Sequence, residues 1–215
     1  MLFDTGDKLV FIGDSISDCG RARPVGEGLG LSLGNGFIAD VAALLGSAHP
    51  AERLRVVNMG ISGNRIRDLK ARWDDDVLAL QPDWVCVLIG INDVWRQFDS
   101  PLQPEEHVLP DEYESTYIEL IERTLPHVKG MVLMTPYYIE PNPQDAMRAR
   151  MDAYGAIVKR VAERFGLPCI DMQAAWSPLF AHMYPGNIAW DRVHPNHLGA
   201  VHLARAFLKA TGYEM

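Results

Sequence analysis

Short, almost unbroken apolar runs alternate along this chain with longer amphipathic stretches, and no feature narrows its folding options more. Runs near 8–12, 54–58, 84–90, 130–135 and 167–171 read as strands, and the stretches near 36–46, 64–79, 112–127 and 146–165 as helices between them. A strand such as Met131-Val-Leu-Met134 has no polar face, so both of its sides must be covered. That is the condition of a parallel strand between helical layers. The expected architecture is an α/β fold: a three-layer α/β/α sandwich on a five-stranded parallel sheet of flavodoxin-like order, closed by helices near 173–183 and 196–211. No repeat, low-complexity tract or long linker divides the chain, so one domain over 1–215 is expected.

Ligands of such sheets bind beyond the carboxyl ends of the strands. Three of the expected strands end in chemistry-bearing turns. In Phe11-Ile-Gly-Asp-Ser-Ile-Ser-Asp18 the first strand stops at Gly13 and delivers Ser15 into the turn. Far downstream, Asp191-Arg-Val-His-Pro-Asn-His-Leu-Gly199 sets a carboxylate and an imidazole three residues apart before the last helix. A serine hydroxyl attacks only if an imidazole takes its proton, and a carboxylate holds that imidazole in one tautomer. Ser15, His194 and Asp191 supply those groups. Val56-Val-Asn-Met-Gly-Ile-Ser-Gly-Asn64 ends in a turn whose glycines let a backbone N–H approach a ligand, and Val85-Cys-Val-Leu-Ile-Gly-Ile-Asn-Asp93 places Asn92 just past a strand end. The N–H groups of Ser15 and Gly63 and the Asn92 amide are the expected oxyanion donors. Each turn also has a plain structural reading, as a helix cap, a tight bend or a helix start with Pro195 in its first turn. Their occurrence together, in order along one sheet, is what turn chemistry alone does not account for.

Gly13-Asp14-Ser15, Gly63 after Ile61-Ser62, Gly90-Ile-Asn92 and Asp191-x-x-His194 resemble the sequence blocks of the SGNH, or GDSL, hydrolase superfamily, in order and over nearly the whole chain. The resemblance implies an SGNH hydrolase fold, a Ser15 nucleophile, an oxyanion hole from Ser15, Gly63 and Asn92, and His194 as base oriented by Asp191. The words Asp18-Cys-Gly-Arg-Ala-Arg-Pro24, Gly90-Ile-Asn-Asp-Val-Trp-Arg96 and Trp190-Asp-Arg-Val-His-Pro195 are further similar to intracellular bacterial acetylxylan esterases of that superfamily. This implies a short-chain serine esterase acting on acetylated xylo-oligosaccharides, without cofactor or metal. A lipase, lysophospholipase or thioesterase on the same triad is the alternative.

A net charge of −8 without a Lys/Arg run argues against nucleic acid or an anionic membrane as partner. The first strand starts near Lys8, leaving no room for a signal peptide, and no apolar stretch approaches the roughly 18 residues of a membrane span, so a cytoplasmic enzyme is expected. The three cysteines form no CxxC pair; Cys86 and Cys169 fall in strand-like runs and read as buried, reduced thiols, while Cys19 is left open. Trp73, Trp84 and Trp176 read as core. Trp95 and Trp190 stand beside motif residues, where an indole suits a sugar ring or simply packs a loop. The segment 20–36, with six glycines, is a cover for the site, a subunit contact in a homo-oligomer or a plain connection, and 92–111 reads as a loop that either shapes the pocket or lies exposed with one packed Trp. Two other classes stay in view. Asp14, Asn92, His194 and His197 are ligand types for a metal-dependent phosphoesterase, though they lack the usual Asp-x-His or His-x-His clusters. A non-catalytic sugar-binding module is the other, opposed by the intact Ser, Asp and His.

Overall fold

The computed structural model describes residues 1–214 and contains one sheet of five parallel strands in the order β2-β1-β3-β4-β5. In chain order the principal elements are β1 (Lys8–Gly13), α1 (Ser15–Asp18), α2 (Phe37–Ala48), β2 (Arg55–Asn58), α3 (Ile66–Asp76), β3 (Trp84–Leu88), α4 (Ile91–Asp99) and α5 (Pro110–Thr124). They continue with β4 (Gly130–Met134), α6 (Ala146–Phe165), β5 (Cys169–Ile170), α7 (Met172–Ala175), α8 (Ser177–Phe180) and α9 (His197–Ala210). Helices α2 and α9 pack together on one face, and α3, α5 and α6 follow one another on the other. The expected three-layer α/β/α sandwich of flavodoxin-like order is the observed one. Its strand order reverses between β1 and β3, because the chain leaves β2 at one edge and re-enters on the far side of β1. A crevice opens at such a reversal.

Burial follows the apolar runs. β3 and β4 are buried along their whole length, as strands covered on both faces must be. Trp73, Trp84 and Trp176 lie in the core; Trp73 Nε1 donates to Thr124 Oγ1 at 2.9 Å and Trp84 Nε1 to Asp7 Oδ2 at 3.1 Å, so two of the three indoles enter the core with their N–H satisfied. Glycine is required at two strand ends. A Cβ on Gly13 would stand 2.3 Å from the Leu88 carbonyl oxygen, and one on Gly90, whose φ is +132°, would stand 2.7 Å from the Tyr113 hydroxyl.

Several boundaries differ from expectation. The segment 92–111 is not a loop: its first part is α4, which follows Gly90 directly and has no side-chain cap, so the usual start signal is missing. The helix expected near 173–183 is two short pieces, α7 and α8, the second beginning at Ser177-Pro178. Pro195 precedes the last helix rather than lying in its first turn; Asn196 is the cap, its side chain accepting from the Gly199 N–H. Cys169 is exposed, because β5 is an edge strand of two residues, whereas Cys86 in β3 is buried as expected. Among the described residues no helix is long and apolar enough to cross a membrane.

Candidate active site

Ser15 is the first residue of α1, two positions past the end of β1. Asp14 caps that one-turn helix, its carboxylate accepting from the Ile16 N–H at 2.9 Å, so the Gly-Asp-Ser word is a helix start and a presenting turn at once. The Ser15 hydroxyl lies 2.7 Å from His194 Nε2, and His194 Nδ1 lies 2.5 Å from Asp191 Oδ2. The other carboxylate oxygen, Oδ1, accepts from the N–H groups of Val193 at 3.0 Å and His194 at 2.9 Å. Burial raises the Asp191 carboxyl, but the hydrogen bonds from the His194 ring and from these two amides outweigh it and hold the group below the usual carboxylate range. It therefore stays ionised beside the imidazole. The three residues that the sequence picks out form one hydrogen-bonded series over 179 positions of chain.

The donor side of the site comes from the ends of β2 and β3. Gly63 lies in the turn after β2 with φ +82°, a left-handed conformation natural to glycine. Neither its N–H nor that of Ser15 is taken up by the turn and cap hydrogen bonds that satisfy their neighbours. Asn92 is buried in the first turn of α4. Its Nδ2 donates to the Asn64 carbonyl at 3.0 Å and its Oδ1 accepts from Arg96 Nη2 at 3.3 Å. These partners set which end of the amide is nitrogen, and an amide nitrogen has two hydrogens, so one is left for a ligand.

Some residues that build the site are not marked by the motifs. Asp18, one turn beyond Ser15, is buried, and its Oδ2 accepts from the Ser62 N–H at 2.9 Å, the Ser62 hydroxyl at 2.8 Å and Arg23 at 2.8 Å. It ties the turn that carries Gly63 to the helix that carries Ser15. Burial raises its carboxyl, and the Arg23 and Ser62 hydrogen bonds more than offset this. Arg21 is buried and donates to the carbonyls of Gly60, Ala22 and Pro24. The segment Asp18–Pro24, whose sequence alone carries only a family resemblance, is thus a strut between two strand ends.

Of the two tryptophans, Trp95 lies with its ring centroid 6.0 Å from that of His194, under the Arg96 guanidinium at 5.2 Å. Trp190 is 87% exposed, so it does not serve to pack the Asp191 loop. His197 opens α9 with an exposed ring and approaches Asp40 at 3.9 Å. Among the described residues no three His, Cys, Asp or Glu side chains gather as metal ligands.

A parallel sheet carrying a hydroxyl, an imidazole and a carboxylate in series at its switch point defines an α/β hydrolase of the serine kind. The chain belongs to the GDSL-like Lipase/Acylhydrolase family, whose model matches residues 11–201. It is 55% identical over 214 residues to an acetylxylan esterase of Geobacillus stearothermophilus, covering 100% of this chain and 98% of that protein. The crystal structure of that esterase, Axe2, matches with a TM-score of 0.98 over 100% of this chain and 98% of the other, and forms of it with a serine, a histidine or an aspartate replaced are described as catalytic mutants. LAE5, an alpha/beta hydrolase from the metagenome of Lake Arreo, is also 55% identical, with a TM-score of 0.97 over 99% of this chain and 98% of its own.

Proposed function

We propose that this acyl hydrolase removes acetyl groups from xylo-oligosaccharides through an acyl-enzyme on Ser15. The reading is carried by the series Asp191 Oδ2, His194 Nδ1, His194 Nε2 and Ser15 Oγ, with links of 2.5 and 2.7 Å. His194 takes the Ser15 proton as Oγ attacks the ester carbonyl. The tetrahedral oxyanion accepts hydrogen bonds from the Ser15 and Gly63 N–H groups and from Asn92. The C–O bond to the sugar breaks as His194 returns the proton to the leaving alcohol. A water molecule then attacks the acetyl-serine, giving its proton to His194, and acetate leaves as Ser15 recovers its hydrogen. Asp191 stays ionised throughout and stabilises the imidazolium.

The substrate class is supported by the similarity to the Geobacillus enzyme, which is described as an acetylxylan and acetyl-xylooligosaccharide esterase. Trp95 beside the His194 ring and the exposed Trp190 next to Asp191 provide flat apolar surface for a sugar. Three free cysteines support a reducing compartment, the cytoplasm, where short soluble oligosaccharides are the available form of substrate.

Acetate release from acetylated xylo-oligosaccharides, set against a chain-length series of p-nitrophenyl esters, tests the substrate. The expected profile peaks at acetyl and falls steeply, each methylene being worth about 1–3 kcal/mol. Trp190→Ala should weaken turnover of the acetylated sugar more than that of p-nitrophenyl acetate. A profile peaking at long acyl chains, with no acetate from the oligosaccharide, contradicts the assignment and leaves a lipase or thioesterase.

A further inference from the structure

Arg192, which stands between the aspartate and the histidine of the relay, has a φ of +63°. An L residue with a Cβ seldom adopts left-handed backbone, and one that does is held there by its surroundings. The holding contacts are specific. The Arg192 N–H donates to the Ala189 carbonyl at 3.1 Å and its carbonyl accepts from the Ile139 N–H at 2.8 Å. Its Nη1 donates at 2.5 Å to Oε2 of Glu140, a residue only 8% exposed. Glu140 is itself anchored: Oε1 accepts from the Asn142 N–H at 2.8 Å, and its carbonyl accepts from Arg148 of α6 at 2.5 Å. An unbroken chain of bonds thus runs from α6 through the β4–α6 connection to the residue that shapes the relay turn.

That turn has a demanding geometry. Asp191 must fold back so that Oδ1 reaches the N–H groups two and three residues on while Oδ2 reaches the ring of the same histidine. Arg192 in its left-handed conformation is the bend that permits this. We propose that Glu140 is a positioning residue which, by holding Arg192, sets the reach of Asp191 to His194. This rests on the relay of the preceding subsection.

The test uses E140Q, which keeps shape and an acceptor for Asn142, R192A, which removes the tie from its more exposed end, and the double variant E140Q/R192G, in which glycine adopts the left-handed turn unaided. With p-nitrophenyl acetate, E140Q and R192A should each lower kcat about 10- to 100-fold, with KM within about twofold. The far-downfield proton of the His194–Asp191 hydrogen bond, assigned by its loss in H194A, should broaden or vanish in both. In the double variant both signals should return, kcat by at least about tenfold over E140Q. Should E140Q fail to fold, R192A and its glycine counterpart R192G read the same tie. Wild-type kcat and an unaltered proton resonance in the single variants overturn the proposal, as does a double variant no better than E140Q. Failure of the underlying relay is separate: it appears as undiminished hydrolysis by S15A, whereas the resonance reports on Glu140 without turnover.

Discussion

At the scale of single residues, the proposed chemistry depends on hydrogen bonds whose worth changes as charge moves. Deleting the nucleophile or the base removes the route for the proton, so Ser15→Ala and His194→Ala should each lower kcat by about three to six orders of magnitude, and Asp191→Ala somewhat less because the base survives in poorer orientation. Purified variants that keep wild-type circular dichroism make the measurement clean. Asn92 is held by Asn64 and Arg96 with one N–H free, and as the proposed oxyanion donor it gains most as charge develops on the ester oxygen. Asn92→Ala should therefore reduce kcat about 10²–10³-fold with a smaller change in KM. Equal effects on both constants would make it a ground-state ligand. The Asp191-x-x-His194 unit was legible because its spacing is local: the same carboxylate serves the ring and the amides of its own turn.

The elements present these residues with little slack. β1 and β3 end side by side, and Gly90 lets the chain pass from β3 into α4 at φ +132° under the Tyr113 hydroxyl and the Pro136 ring. Alanine there combines an unfavourable backbone with a clash, so Gly90→Ala should cost about 1–3 kcal/mol in urea unfolding and misplace Asn92 as well. A variant as stable and active as wild type would show that α4 is not keyed to this glycine. The alternation of apolar runs and amphipathic stretches made the layers and strand order readable, since a strand without a polar face has to be covered twice. What it did not reveal was α4, because Gly90 supplies no capping side chain and Asn92-Asp93 reads equally as a turn. The exposure of Cys169 was hidden for a related reason: a two-residue edge strand leaves no periodicity by which to tell inside from outside.

For the whole molecule, two ties decide how the site is assembled and neither has a local signature, because Asp18 meets Ser62 across 44 residues and Glu140 meets Arg192 across 52. Charge buried beneath the site also marks the molecule's response to pH. Burial pushes the carboxyls of Asp14 and Asp93 up to about 7 from an ordinary 3.8, and one oxygen of Asp93 has no protein partner. Between those limits the folded state keeps protons that the unfolded chain releases, so this contribution to stability is full below about pH 4 and is lost as pH rises toward about 7. The depressed carboxyls of Asp18, Asp171 and Asp191 act the other way, their contribution fading as acid is added. Asp93→Asn, which retains an acceptor for the Ile66 N–H, should shrink the loss of Tm between about pH 5 and about pH 8, and an unchanged difference would mean that Asp93 is already ionised in the fold. In the proposed reaction, hydrolysis passes through a covalent acyl-serine at Ser15. Intact-protein mass spectrometry after titration with an active-site phosphonate tests this step: one adduct per chain is expected, on the peptide containing Ser15, with residual activity falling in proportion to labelling. Activity that persists in fully labelled protein, or an adduct on another residue accompanied by the same loss, would contradict it.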